Sequence, residues 1–379
     1  MAPSAYIKIK NGTTGVVKTI LTGAGRQIKP GDTGFNGFLS LDWRKKRNDQ
    51  HVCNFTLDYA SPDVALISDK DQIEVIRFDA ARGLAEYSSF DGIFRDAFVS
   101  YDSDRKIQTV KFRAYSYEHL LTWRDIAYAS GQAGKTKFTS QKAETILKTL
   151  VSFALTSSAT TGNGRAVNSA YTGFSIEADS ARGNTLSIEI SHQNLLDGLK
   201  KIVQAAGGDF KVTKTGLLTF RFDWVVNTDR STGANAVIFS LENANMSNPN
   251  LAIERSKERT VAIVGGAGED INRAIRVRTG PNYNATTNHI EMFVDARNSG
   301  NDSTILDGIG DIKLQETKFR NVLEYDILQT EKTFVEQHYF LTDKIKAVFA
   351  GTTVTQYVDE IVFIYNDNKE AASVSTLDV

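Results

Sequence analysis

The chain lacks most of what covalent or metal chemistry would need. Its 379 residues contain one cysteine, Cys53, so neither an internal disulfide nor a multi-cysteine metal site can form. Five histidines are scattered along it, and His51, His119, His192 and His338 lack ligand partners at metal-site spacing. Five prolines and three methionines leave no proline-rich linker. An excess of one charge is missing as well. Lys and Arg number 44 against 45 Asp and Glu, a net charge of −1 that makes no field for gathering nucleic acid or anionic lipid. No run reaches the ~18 apolar residues of a membrane span. Met1–Lys10 has no apolar stretch of the signal-peptide kind. These absences predict a soluble protein made in a cytoplasm, held together by burial or by neighbouring subunits.

What is present is mostly strand pattern. A chain of 379 residues exceeds the ~250–300 at which single cores stop growing, so two or three domains are expected. Cys53, Phe55, Leu57 and Tyr59 alternate with Asn54, Thr56 and Asp58, and Val110, Phe112 and Ala114 alternate with Lys111, Arg113 and Tyr115. A period of two is that of a half-buried strand. Asn11-Gly12, Pro30-Gly31-Asp32, Ala81-Arg82-Gly83 and Asp102-Ser103-Asp104 punctuate such runs as turns.

Ser116 then reads as the N-cap of a helix carrying Tyr117, Leu120 and Leu121. Ala143, Ile146, Leu147, Leu150, Val151 and Ala154 give a helical stripe over 140–155, and the Ser/Thr/Gly/Asn-rich 156–172 reads as a mobile loop. The clearest helix is 192–206, with Leu195, Leu196, Leu199, Ile202, Val203 and Ala206 on one face and Gly207-Gly208 as its stop. A helix this short is marginal alone in water. It must dock, most simply on a following hairpin, Phe210–Val212 with Leu217–Phe222, turning at Lys214-Thr215-Gly216. Strand alternation returns from Ala236, and 366–379 is polar and expected to fray. The predicted class is α+β, mainly β: two barrel-like β-domains, 1–127 and 236–379, flanking a helix-bearing middle domain, 128–235.

Motifs that would carry chemistry fail on spacing. Gly131-Gln132-Ala133-Gly134-Lys135-Thr136 is like a phosphate loop, but Ala129 stands where a glycine is required and no apolar strand precedes it. Gly265-Gly266-Ala267-Gly268 follows a strand without a third glycine in register, and reads as a turn between strands. His289-Ile290-Glu291 opens a zinc-deaminase signature that one cysteine cannot complete. The pairs Asp69/Asp71 and Asp102/Asp104 sit in turns, where Asp caps backbone. No catalytic residue, cofactor site or metal site is assigned.

Two surface features remain. Arg44-Lys45-Lys46-Arg47, just after Trp43, is the one basic cluster, read as a charged hairpin tip or a rim against a partner's acidic surface. The long segment 279–304, with Tyr283 and His289, exceeds ordinary hairpin connections and is the second candidate partner interface. Arg273, Arg276 and Arg278 read as edge protection or subunit ion pairing. A rival reading takes the chain as an envelope carbohydrate-binding or carbohydrate-cleaving β-protein using Trp43, Trp123 or Trp224.

Four stretches carry a family resemblance: Asp71–Phe78 with Phe90–Arg95; Leu120–Ile126; Asn194–Leu199; and Val261–Gly268 with Ile290–Arg297 and Phe340–Ile345. Together they resemble the tail-hub and baseplate-hub proteins of tailed bacteriophages, in particular the siphophage tail-hub family and the N-terminal hub part of tail-associated lysins. One departure is visible: Thr342-Asp343 stands where the family often has Gly-Asp. The resemblance implies a structural virion protein of the tail tip, not an enzyme, and a homotrimer whose paired barrel-like domains make a pseudo-six-fold ring around the DNA exit channel. It implies contacts with the tail tube or distal tail protein, the tape-measure protein and tail-fibre or tip proteins. DNA would be met only in transit.

Overall fold

The computed structural model describes residues 4–23, 35–79, 82–104, 106–126, 131, 136–190, 192–366 and 369–378. The turn Pro30-Gly31-Asp32, Ala81, and the central residues of the Gly131–Thr136 motif lie outside them. Strand makes up 49% of the chain and helix 17%, so the protein is mainly β.

The two strand-rich ends expected to form separate barrel-like domains share one 12-stranded sheet. Its path runs Ile238–Ser240, Lys344–Phe349, Thr352–Asn366, Ser40–Lys46, Val52–Asp58, Ile107–Ser116, Leu84–Asp102, Gln72–Asp79, Ser4–Lys10, Val17–Gly23, Phe35–Phe38, with Lys369–Asp378 added beside Thr352–Asn366. No closed barrel forms among the described residues. The stitch is the 15-residue strand Thr352–Asn366. Residues 352–357 pair with Lys344–Phe349, and 360–365 pair with 41–46 of the N-terminal region. Residues 356–366 pair with Lys369–Asp378 on the opposite edge. The C-terminal stretch expected to fray is therefore a strand: its backbone groups find partners on an edge that would otherwise be open.

One core lies within this sheet. Ile7, Leu21, Trp43, Phe55, Val75, Phe90 and Phe112 pack with Phe239, Ile345, Val358, Ile361 and Phe363. Both alternating runs bury the predicted face, except that Tyr59 is exposed. Burying such side chains at ~1.5–3 kcal/mol each is what unites the two ends of the chain.

The helical region has its own core. Helix α1 (His119–Thr122) is a single turn, and α2 (Ala143–Leu155) and α3 (Leu195–Ala206) bury the predicted stripes. Ser116 does not cap α1: it ends a strand, and its hydroxyl donates to Glu118 while accepting from the His51 amide. Asn194 caps α3 instead, accepting from the Leu196 amide. Gly207 and Gly208 take φ of +74° and +111°, and a Cβ at 208 would fall 2.0 Å from the Trp224 ring. The hairpin behind α3 pairs Asp209–Gly216 with Thr219–Val225, so its turn is Leu217-Leu218, two residues beyond the predicted one. The 156–172 segment is tied down by backbone bonds, Ser169 to Ala159 and Tyr171 to Leu155.

The third unit is a three-stranded sheet, ordered Ile275–Thr279, Val261–Gly265, Glu291–Asp295, covered on one face by helix α4 (Ser303–Glu316). Helix α4 was not legible in the sequence because Gly308 and Gly310 interrupt its apolar pattern. Both are there for closeness. A Cβ on Gly308 would meet the Ser187 carbonyl at 2.2 Å, and one on Gly310 would meet Val264 and Arg278.

Candidate subunit interface

Period two in a strand decides the fate of the basic cluster. Residues 43, 45 and 47 point to one side of Ser40–Lys46 and its extension, residues 44 and 46 to the other. Trp43 is fully buried, stacked on Phe363 at 4.8 Å, with Nε1 donating to Ser89 Oγ at 2.9 Å. It is core and cannot meet a partner. Lys45 Nζ donates to buried Glu336 at 2.5 Å. Arg47 grips Asp209 through Nε at 2.5 Å and Nη2 at 3.0 Å, and lies over the Tyr357 ring. Only Arg44 and Lys46 face outward, Arg44 being exposed and 3.8 Å from Glu360. The run is thus a set of internal clasps, and a single basic patch does not exist.

Those clasps belong to a buried ion network joining the chain's ends. Glu336 also accepts from Tyr87 at 2.6 Å and Ser89 at 2.7 Å. Arg77, with no exposed surface, donates to Glu370 at 2.8 and 2.5 Å and to Tyr87 at 2.6 Å. Burial alone would raise the Glu336 pKa, but the Lys45 charge and the donors around it hold it below the usual carboxylate range. Burial likewise opposes the Arg77 charge, and Glu370 more than restores it.

Tyr283 and His289 lie in the connection between Ile275–Thr279 and Glu291–Asp295, in a different sheet from Trp43–Arg47. Their rings meet edge-on at 5.4 Å, and His289 Nε2 lies 2.9 Å from Glu291 Oε1. His289 is exposed and Tyr283 half-buried. The arginines expected at an edge or between subunits pair within the chain: Arg276 with Asp307 and Arg278 with Asp311 of α4, Arg273 with Asp295.

Two apolar surfaces stand uncovered instead. The hairpin of Leu84–Asp102 and Ile107–Ser116 runs past its neighbours, and Phe98, Val99, Tyr101 and Ile107 are each 42–61% exposed. The outer face of the three-stranded sheet shows Ile275, Val277 and Phe293, 49–58% exposed, with Val277, Ile263 and Phe293 side by side in register. Apolar faces of this kind mark protein contacts. The signal available in sequence was the broken alternation Ala97-Phe98-Val99, apolar on successive residues where a half-buried strand would alternate.

No catalytic constellation is assembled among the described residues. No cluster of three potential metal ligands occurs among them. A cleft of about 510 Å³ between α4 and the Thr185–Ile190 strand contains Asp307 and Asp311, but each is bound to its arginine. Trp123 and Trp224 are half-buried, and Trp224 covers Gly208.

The fold is shared over nearly the full length with the 43 kDa tail protein of prophage MuSo2 from Shewanella oneidensis (TM-score 0.53, 12% identity, 99% of this chain and 98% of that one). It is shared also with the tail protein from Neisseria meningitidis MC58 (0.52, 8%, 100% and 97%). Prophage tail protein gp18 from Listeria monocytogenes EGD-e matches similarly (0.51, 11%, 99% and 94%). No curated protein matches in sequence. The chain belongs to the family described as Siphovirus ReqiPepy6 Gp37-like protein, whose pattern matches residues 32–375. The resemblance to siphophage tail proteins drawn from the sequence holds at that level.

Proposed function

We propose that this protein is the hub of a siphophage tail tip, a structural component without catalysis. Three copies close a ring in which the N-terminal region (1–127) and the C-terminal region (236–379) of each chain, joined through their shared sheet and carrying the middle region (128–235), alternate around the channel. The ring adapts the tail tube or distal tail protein to the tip, takes the end of the tape-measure protein, and holds fibre or tip proteins. DNA passes through without being held. The location is the virion tail tip.

One observation carries this reading: a chain with a well-filled core leaves two separate apolar surfaces bare, the 98–107 hairpin and the outer face of the Val261–Asp295 sheet. Two different sticky surfaces on one chain generate head-to-tail contacts, which close into rings when the rotation allows. Arg44, Lys46, Tyr283 and His289 are the polar residues available at the rims of such contacts. A net charge of −1 suits a conduit, because 6–10 phosphate contacts would add a salt-sensitive affinity of ~10³–10⁵.

Light scattering after size exclusion tests it. A chain of 41.8 kDa gives about 125 kDa as a trimer. Tyr101→Asp or Phe293→Asp returns the mass to that of one chain with little change in unfolding midpoint. A wild-type chain that is monomeric at every concentration, and that is absent from tail tips labelled in particle images, rejects the proposal.

A further inference from the structure

Arg124 and Arg165 meet where the chain leaving α1 touches the 156–172 segment. Most described arginines hold a carboxylate; among the described residues, the side-chain bonds of these two go to backbone carbonyls. Arg124 Nη1 donates to the Trp123 carbonyl at 3.1 Å and Nη2 to the Ser169 carbonyl at 3.3 Å. Arg165 Nη1 donates to the Asp125 carbonyl at 3.2 Å. All three bonds are at the long, weak end of the range. The Nε atoms of both arginines and the hydroxyl of Ser169 are buried with no partner. They are three of five such side-chain atoms among the described residues, and the others, Asn227 Oδ1 and Gln337 Oε1, lie elsewhere in the chain.

The charge is met only in part. Burial and then the Arg124 charge push the Arg165 pKa down, with Asp125 opposing. Asp125 is exposed, and its carboxylate bonds to neither guanidinium among the described residues. Buried orphan donors call for a water or an ion. Water would satisfy the donors but would leave two like charges side by side, which costs far more than a missing bond. An anion answers both.

We propose that Arg124, Arg165 and Ser169 form a binding site for a phosphate group. Three donors and two positive charges match a phosphate group, which brings negative charge and at least two acceptor oxygens. The space beside Arg165, lined by Asp125, Leu150 and Asn163, is about 10 Å³, enough for a single water. The ligand therefore lies across the mouth, and the guanidinium heads turn from their weak carbonyl bonds to meet it. Bound there, it fastens the 156–172 segment to the end of α1. Its source is free phosphate or a phosphodiester, which offer the same oxygens.

Thermal unfolding of the full chain in sodium phosphate, against sodium chloride at matched ionic strength, tests the site, with an oligothymidylate as a separate arm. At ten times the half-saturating concentration the folded-to-unfolded ratio rises about elevenfold, a saturable Tm gain of a few degrees. Arg165→Gln and Arg124→Gln lose that gain. Should either fail to fold, Ser169→Ala keeps both charges and is expected to raise the half-saturating concentration about fivefold. A gain with phosphate that the variants lose assigns a free ion. A gain with the oligonucleotide alone, lost in the same variants, assigns a phosphodiester. Equal gains in wild type and variants, or none in either arm, overturn the proposal.

Discussion

The 12-stranded sheet and the small three-stranded sheet use the same kinds of residue in opposite ways. In the large sheet one ion network is inside: Arg77, Glu336 and Glu370 expose almost nothing, and Trp43 and Phe363 stack beneath them. In the small sheet the ion pairs Arg276–Asp307 and Arg278–Asp311 are at the surface, and the apolar side chains Val277 and Phe293 are bare. One region, its 98–107 hairpin apart, spends its apolar surface on its own fold. The other, with a core cluster of only Ala262, Val264, Ala296, Leu306 and Leu314, keeps much of it for something else. The difference separates a region whose buried charges and apolar side chains hold the chain together from one that leaves apolar side chains at the surface.

Substitutions can sharpen or break that contrast. The largest effect is expected from Trp43→Ala, which empties a fully buried site and should cost ~3–5 kcal/mol in urea unfolding. Phe293→Ala, more than half exposed, should stay within about 0.5 kcal/mol and act on assembly alone. Equal losses at the two sites would break the distinction.

Next comes Arg77→Met, which leaves Glu370 buried without its partner and should cost ~3–5 kcal/mol. Arg276→Met, at the surface, should leave the urea midpoint unmoved.

A smaller, opposite effect is expected at Thr342. This β-branched residue holds a φ of +74°, the conformation that glycine adopts freely. The turn is retained because Asp343 accepts from the Phe340 amide at 2.9 Å and from Arg230 at 2.5 Å. Thr342→Gly should stabilise by about 1 kcal/mol, read as a higher urea midpoint.

The smallest is a slope with pH. Burial, then the Arg95 charge, lowers the His119 pKa from 6.5 to about 4, with Asp96 opposing. The unfolded chain therefore takes up this proton first as pH falls. The stability His119 gives is complete above pH 6.5 and is lost progressively towards pH 4. His119→Gln should flatten stability across that window; an unchanged slope would assign it to other groups.

Much of the fold was legible because much of it is periodic. Cys53–Leu57 and Val110–Ala114 announced their buried faces, and α2 and α3 announced their stripes, since each signal is contained in a few consecutive residues. Helix α4 was hidden by two glycines whose purpose is contact with Ser187 and Val264, residues far away in the chain. Three residues of the expected basic tip, Trp43, Lys45 and Arg47, turn inward for a related reason. Arg44–Arg47 looked like one patch along the chain, but a strand sends neighbours to opposite faces. The partners that claim Lys45 and Arg47, Glu336 and Asp209, are 291 and 162 residues distant.

By itself, the sequence determined which residues must leave water, that no disulfide can form within the chain, and that strands would dominate. Tertiary structure alone decided that the two ends of the chain share one sheet, that the polar Lys369–Asp378 stretch is a strand, and which apolar faces stay bare. Hydrophobic period is a local property and names the face to be buried. What covers that face is settled by long-range packing and pairing, whose energy no stretch of sequence carries alone.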